Sequence, residues 1–117
     1  MRRLFPALCL ALLVSATLAY RALGGEATRV PAERVCMVQD RVLPTAQIPI
    51  DLQGRTYYGC CAMCEGQLRR DAGLRQATDP ISGRTVDKAS AVIAQTPEGS
   101  VLYFESEETF RRFNEAK

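Results

Sequence analysis

Three cysteines lie within five residues of one another in this chain, in the stretch YYGCCAMC at positions 57–64. They are Cys60, Cys61 and Cys64; a fourth cysteine, Cys36, lies upstream, and the chain contains no histidine. Such a cluster is typical of a soft-metal site, a redox-active pair or a structural crosslink. These thiols constrain the fold and the chemistry of the chain more than any other sequence feature.

The N-terminal segment is typical of an export signal. Arg2 and Arg3 precede an apolar run from Leu4 to Ala19, which is the charge-then-apolar layout of secretory signals. The run is also close to the lower limit of about 17 residues for spanning a bilayer. We therefore expect residues 1–23 to be a cleaved signal peptide or a membrane anchor acting through residues 4–20, and the protein to be periplasmic or in the cell envelope.

The charge of the rest of the chain disfavours nucleic acid as a partner. Residues 1–23 contain three arginines and no acidic residue, so the remainder has 12 Lys+Arg, 13 Asp+Glu and a net charge of −1. It has no run of basic residues with interleaved aromatics, the usual pattern of nucleic-acid binding. Residues 24–34 combine Gly, Ala, Thr, Pro and mixed charges without periodicity, which predicts a flexible tether.

The stretch before the cysteine cluster predicts a β-hairpin. Residues 47–51 and 55–59 form two short apolar runs around Gly54, and Pro49 places the first strand at a sheet edge because proline cannot donate a ladder hydrogen bond. A helix is predicted to begin at Cys61 and to end near Ala72, before Gly73. This half of the chain, 35–76, is the cysteine-bearing lobe.

The same order of elements recurs 45 residues later. Residues 91–94 and 101–104 predict a second hairpin, followed by a helix from Ser106 to Ala116 with Ser106 as its N-cap. Phe110 and Phe113 would mark the buried side of this helix. The expected fold is a small α+β domain of two related hairpin–helix lobes, 35–76 and 77–117. The second lobe has no cysteine, so its role is predicted to be structural or, at most, that of a lid on the first lobe.

The spacing of the thiols is compatible with one shared site. On a helix, Cys60 and Cys64, or Cys61 and Cys64, lie on one face, and a loop residue such as Cys36 can approach from the opposite side. A helix N-terminus stabilises thiolates. An all-sulfur site without imidazole favours Cu(I) or Zn(II).

The ligand count separates these two metals. Three thiolates suit Cu(I), whereas zinc prefers a fourth ligand, here Cys61 or Asp40. Met37 and Met63, each next to a cysteine, are candidates for thioether ligands, which copper accepts well. The more common role of methionine is to pack in the core.

The order of these features resembles the TRASH and YHS heavy-metal-binding domains, small treble-clef-like modules in which a distant cysteine precedes a C-x3-C motif. The second half, with DPISG at 79–83 and LYFESEE at 102–108, resembles a YHS module without its cysteines. The resemblance implies that Cys36, Cys60 and Cys64 bind metal for sensing, trafficking or resistance. It covers residues 35–115. Cys61 is additional to this pattern, as a fourth ligand, a reserve thiol or a disulfide partner.

Two alternatives stay open at the level of sequence. Cys61 and Cys64 form a C-x-x-C at a helix start, as in thioredoxin-like oxidoreductases, although no βαβ unit precedes them. The cysteines could instead hold a small exported domain together through disulfides or structural zinc. Hydrolytic catalysis is not expected, since the chain lacks a histidine base. We expect a non-enzymatic protein whose partners are a metal ion and a metal-transport or metalloenzyme-maturation protein.

Overall fold

The computed structural model describes residues 26–116. The predicted signal or anchor segment, residues 1–23, lies outside this range. Within residues 26–116, neither helix has the length and apolar character needed to cross a membrane.

The described chain contains nine short strands, two α-helices and two 3-10 segments. The strands are β1 (Thr28–Arg29), β2 (Val35–Cys36), β3 (Arg41–Val42), β4 (Ile48–Leu52), β5 (Arg55–Gly59), β6 (Gln76–Thr78), β7 (Thr85–Asp87), β8 (Val92–Gln95) and β9 (Val101–Phe104). The helices are α1 (Ala62–Arg70) and α2 (Glu107–Glu115), and the 3-10 segments are Ala32–Arg34 and Ala72–Arg75.

The strands form four small antiparallel sheets. One has three strands in the order β1-β8-β9, and the others are the pairs β2-β3, β4-β5 and β6-β7. Helices and antiparallel sheets occur together in one small unit, so the α+β class predicted from the sequence is confirmed.

The first predicted hairpin is present as β4-β5. Ile50 pairs with Tyr57 in its register, and both side chains are buried. Gln53 and Gly54 form the turn with φ angles of 52° and 78°, as a two-residue turn between right-twisted strands requires. Pro49 lies in a two-stranded sheet, where every strand is an edge strand, as its sequence position predicts.

The helices begin where the sequence predicts, but α1 ends early. Ser106 caps α2 by accepting a hydrogen bond from the Thr109 amide at 3.2 Å. Cys61 holds the corresponding extended N-cap position of α1. The chain leaves α1 at Asp71, whose carboxylate accepts a hydrogen bond from the Gly73 amide and starts a 3-10 turn. That competing local hydrogen bond accounts for the shorter helix.

Residues from both halves of the chain share one main core. Its members from the first half are Val35, Met37, Ile50, Tyr57 and Leu68, and those from the second are Val86, Ile93 and Tyr103. A smaller cluster under α2 centres on Phe104, whose ring lies 5.5 Å from those of Phe110 and Phe113, edge to face. The buried side predicted for α2 is therefore confirmed.

The structure differs from the sequence prediction over the proposed tether, residues 24–34. From residue 26 onward this segment takes part in the fold, because β1 pairs with β8 and the Ala32–Arg34 turn follows. Ala27 is buried, and the Asn114 side chain bonds to both its amide and its carbonyl. These contacts come from residues more than 60 positions away, so local composition carried no sign of them.

Candidate metal centre

Four cysteines converge where β2, β5 and α1 meet. Cys36 ends β2, Cys60 follows β5, Cys61 is the N-cap of α1, and Cys64 lies in its first turn. The Met37 amide donates a 2.9 Å hydrogen bond to the Tyr58 carbonyl. This bond holds the strand carrying Cys36 against the hairpin that leads to Cys60.

Three of the sulfurs are spaced as ligands of one ion would be. The Sγ atoms of Cys36, Cys60 and Cys64 all lie within 4.8 Å of one another. Cys64 Sγ is 3.8 Å from Cys36 Sγ and 3.6 Å from Cys60 Sγ. With metal–sulfur bonds of about 2.3 Å, ligand sulfurs lie about 3.8 Å apart in tetrahedral and about 4.0 Å apart in trigonal geometry. The donor set therefore fits a thiophilic ion.

Cys61 also reaches the site, although it is not part of that group of three. Its Sγ lies 3.6 Å from Cys64 Sγ, and its side chain is exposed, whereas Cys60 is half-buried and both Cys36 and Cys64 are buried. All four described cysteines are free thiols. Cys64 is thus the shared neighbour of an inner thiol, Cys36, and an outer one, Cys61.

Gly59 allows the hairpin to approach the helix closely. A Cβ atom on Gly59 would lie 3.0 Å from Cys64 Cβ and 3.5 Å from the Cys64 carbonyl carbon. The side chain of residue 59 must therefore be absent for Cys60 and Cys64 to come together. A glycine inside a strand is a sequence signal for such an approach, so Gly59 is a functional residue that the cysteine spacing alone does not identify.

Backbone amides favour thiolates at two of the four cysteines. Burial raises the pKa of Cys36, but the amides of Gln39, Val38 and Cys60 outweigh it, and the pKa is lowered overall. The Cys64 amide, at the start of α1, is the main cause of a lowered pKa at Cys61. Backbone N–H groups at a helix N-terminus and in a tight turn stabilise a thiolate by hydrogen bonding.

The other two thiols hold their protons more strongly. The Cys36 side chain is the main cause of a raised pKa at Cys60. Burial and the three neighbouring thiols raise the pKa of Cys64 to about 12. A thiolate in this cluster disfavours ionisation of the neighbouring thiols, because like charges repel. A cation bound among the sulfurs would stabilise several thiolates at once.

The remaining candidate ligands from the sequence are Asp40, Met37 and Met63, and Asp40 is not part of the group of three close sulfurs. Asp40 Oδ1 accepts hydrogen bonds from Lys88 Nζ at 3.0 Å and from the Tyr103 hydroxyl at 2.7 Å, so this oxygen is already engaged. Met37 is fully buried in the core. Met63 is 71% exposed, which differs from the expected packing role.

Lys88 is a supporting residue that the sequence did not reveal. Its side chain is buried and donates to the Met37 carbonyl at 2.7 Å as well as to Asp40, while its ammonium lies 5.0 Å from the centre of the Tyr103 ring. It therefore holds the loop that follows Cys36 from the opposite half of the chain. A single lysine between short strands gives no pattern from which this could be inferred.

In the second hairpin–helix unit, a buried carboxylate connects the two positions that correspond to Cys60 and Cys64 in the first unit. By the 45-residue offset, Glu105 and Thr109 correspond to Cys60 and Cys64. Asp79 is fully buried and accepts hydrogen bonds from the Glu105 amide at 2.8 Å and from Thr109 Oγ1 at 2.7 Å. A hydrogen-bonded acid thus bridges hairpin and helix where the first unit has sulfur.

Comparisons with family models, curated proteins and solved structures find no match for this chain. The likeness to TRASH and YHS domains therefore stays a prediction from the motif, and the case for a metal centre depends on the sulfur geometry.

Proposed function

We propose that this protein binds a soft metal ion, Cu(I) in preference to Zn(II), through Cys36, Cys60 and Cys64. The observation that carries the proposal is the mutual approach of these three sulfurs within 4.8 Å, at the junction of two strands and a helix N-terminus. Two of the three thiols are buried, so an ion bound there would be largely shielded from water.

The donor set supports copper over zinc. Among residues 26–116, no other cysteine and no carboxylate lies close enough to join the group of three. Three thiolates complete a trigonal Cu(I) site, whereas zinc would need a fourth ligand. Cys61, with its sulfur 3.6 Å from that of Cys64, is the nearest candidate for that position.

The biological role that fits best is capture, trafficking or buffering of the metal in the cell envelope. The export-type N-terminus and the resemblance to treble-clef-like TRASH and YHS lobes both support this role. It implies a metal-transport or metalloenzyme-maturation protein as the partner. Thiols outside the cytoplasm are prone to oxidation, so such a site needs metal occupancy or a reductant to persist.

The test is an anaerobic titration of the reduced protein with Cu(I) and with Zn(II), each in competition with a chelator of known affinity. We expect one ion per chain and the higher affinity for Cu(I). Removal of the ion by the chelator should leave the protein folded by circular dichroism. Unfolding on metal removal would instead indicate a structural zinc or copper site.

Substitution of single cysteines tests the ligand assignment. Cys36→Ser, Cys60→Ser and Cys64→Ser should each abolish stoichiometric binding, because only two of the three assigned ligands remain and Cys61, which lies outside the group of three, does not complete a stable site in their place. Cys61→Ser should only weaken it. If Cys61→Ser were the most damaging of the four, the assignment would be wrong.

A thiol–disulfide redox role is the second candidate, and one observation favours it. Cys61 is exposed with a lowered pKa, and its sulfur lies 3.6 Å from the buried Cys64, as in C-x-x-C pairs that attack disulfides. The described strands pair only antiparallel, unlike the βαβ setting of thioredoxin-like enzymes. Reduction of insulin by the purified protein at a rate well above that of free dithiol would support the redox role over metal binding.

A further inference from the structure

We propose that Cys61 is the exchange ligand of the metal centre: it replaces Cys36 at the ion and presents the ion to an acceptor at the protein surface. This inference rests on the proposed metal binding. It assigns a function to the one cysteine of the cluster that lies outside the group of three mutually close sulfurs.

The first support is the gradient of exposure across the cluster. Cys36 and Cys64 are buried, Cys60 is half-buried and Cys61 is exposed. An ion held by Cys36 and Cys64 is therefore reached from solvent on the side of Cys60 and Cys61. Exposure of Cys61 therefore gives an incoming ligand direct access to one sulfur of the cluster.

The second support is the position of Cys64 at the centre of the cluster. Its sulfur lies 3.6 Å from that of Cys60, 3.6 Å from that of Cys61 and 3.8 Å from that of Cys36. The inner and the outer thiol are thus about equally close to a shared ligand. An ion can stay bound to Cys64 while its third ligand changes from Cys36 to Cys61.

The exchange is balanced without any change of oxidation state. The bond from the ion to the Cys61 sulfur forms as the bond to the Cys36 sulfur breaks, so three thiolates bind the ion before and after. The proton displaced from Cys61 passes to water, and the released Cys36 sulfur takes one up. The acceptor then adds its own sulfur ligand from the solvent side, which defines it chemically as a protein or small molecule with thiolate or thioether donors.

A purely structural role for Cys61 can be separated from this one. Cys61 is the N-cap of α1, and Ser106 occupies the same position in α2, where its hydroxyl caps the helix. Serine is a preferred N-cap residue. The Cys61 side chain itself makes no capping hydrogen bond. Cys61→Ser should therefore keep the helix intact while it replaces the sulfur with a capping hydroxyl, and Cys61→Ala removes the sulfur without adding a cap.

The experiment measures equilibrium affinity and transfer rate separately. Wild type, Cys61→Ser and Cys61→Ala are loaded anaerobically with Cu(I), and transfer to the chromophoric chelator bicinchoninate is followed by stopped flow. The Cu(I) affinity of these three proteins and of Cys60→Ser is measured by chelator competition. We expect both Cys61 variants to hold Cu(I) within about threefold of the wild-type affinity but to release it at least about tenfold more slowly. Cys60→Ser, which removes an equilibrium ligand, should lose stoichiometric binding.

Each other outcome has a distinct meaning. Transfer from Cys61→Ser at the wild-type rate would remove Cys61 from the exchange route. A loss of affinity in Cys61→Ser as large as that in Cys60→Ser would make Cys61 an equilibrium ligand and also overturn the inference. Failure of the wild type to bind stoichiometric metal would refute the proposed function itself, independently of the behaviour of Cys61.

Discussion

At the scale of single residues, adding one methyl group at Gly59 should disturb the cysteine cluster. Gly59→Ala places a methyl group 3.0 Å from Cys64 Cβ and near the backbone of α1, neither of which can move without shifting a ligand. We expect the free energy of unfolding to fall by about 1–3 kcal/mol, the usual range for overpacking, and metal affinity to fall with it. Urea unfolding and chelator competition measure the two effects.

Gly66→Ala is the matched control in the adjacent helix. The atoms nearest to a Cβ on Gly66 belong to the guanidinium of Arg70, with Nη1 at 3.1 Å, and that flexible end can move. Because alanine is favoured over glycine inside a helix by about 1 kcal/mol, this variant should be slightly more stable and bind metal normally. Equal losses in both variants would contradict the proposed role of Gly59.

Asp79 should give the protein a pH dependence that is independent of the cysteines. Its burial raises the pKa, but hydrogen bonds from the Glu105 amide and the Thr109 hydroxyl outweigh this and lower it overall. A folded-state pKa below the unfolded value of about 3.9 stabilises the protein above that pH, and the stabilisation is lost as the pH falls toward the folded-state pKa.

Asp79→Asn tests this expectation. The variant replaces an acceptor of several hydrogen bonds, so stability at pH 7 should fall by about 1–3 kcal/mol. Its unfolding free energy should also vary less between pH 5 and pH 3 than that of the wild type. The dependence should not vanish, because the pKa of Asp87 is lowered as well, with burial opposed by the Ala89 amide and Tyr57. A slope equal to that of the wild type would exclude Asp79 as a source.

At the scale of the element, α2 is predicted to depend on its N-cap more than on its ion pairs. The Ser106 hydroxyl accepts a hydrogen bond from the Thr109 amide. The ion pair between Arg112 and Glu108 is exposed, and exposed ion pairs contribute little to stability. Ser106→Ala should lower the free energy of unfolding by about 1 kcal/mol. Urea denaturation measures this loss.

Two features distinguish a capping effect from general damage. Ser106→Asp keeps a capping oxygen and should stay within about 0.5 kcal/mol of the wild type. Metal affinity should be unchanged in both variants, since α2 carries none of the proposed ligands. A loss of metal binding in Ser106→Ala would mean that α2 supports the centre in a way that its contacts do not suggest.

At the scale of the whole molecule, Lys88 links the two halves of the chain beside the candidate metal centre. It bonds to the Met37 carbonyl and to Asp40, both in the loop after Cys36. Lys88→Met would leave that buried carbonyl without its donor, at a cost of about 1–3 kcal/mol. We also expect metal affinity to fall by about tenfold, as is typical when a group supporting a ligand is lost.

Tyr103→Phe is the control for this prediction. It removes only the hydroxyl that donates to Asp40 and keeps the ring in the core, so it should cost about 1 kcal/mol and leave metal affinity nearly unchanged. Thermal unfolding and chelator competition on both variants give the comparison. Wild-type affinity in Lys88→Met would show that the position of Cys36 does not depend on the second half.

Local sequence was sufficient for the two main hairpins and the two helices of this fold, but it did not predict β1 or the strand pairs β2-β3 and β6-β7. The glycine turn at Gly54, the N-cap at Ser106 and the apolar pair Phe110 and Phe113 each act within a few residues, and the structure contains the hairpins and helices that they predict. The cysteine pattern likewise limited the candidate thiolate ligands of this region to Cys36, Cys60, Cys61 and Cys64. These features can be predicted from the sequence because turns, caps and helix faces depend on neighbouring residues.

Tertiary structure decided which thiols meet and what supports them. Cys36 lies 28 positions before Cys64, yet their sulfurs are 3.8 Å apart. No local sequence pattern predicts that distance. The same holds for Lys88 beneath the Cys36 loop, for Asp79 in the second unit and for β1 against β8. Such contacts depend on how distant segments pack into one core, so the cluster at 57–64 supplies two of the three proposed ligands and the fold supplies the third.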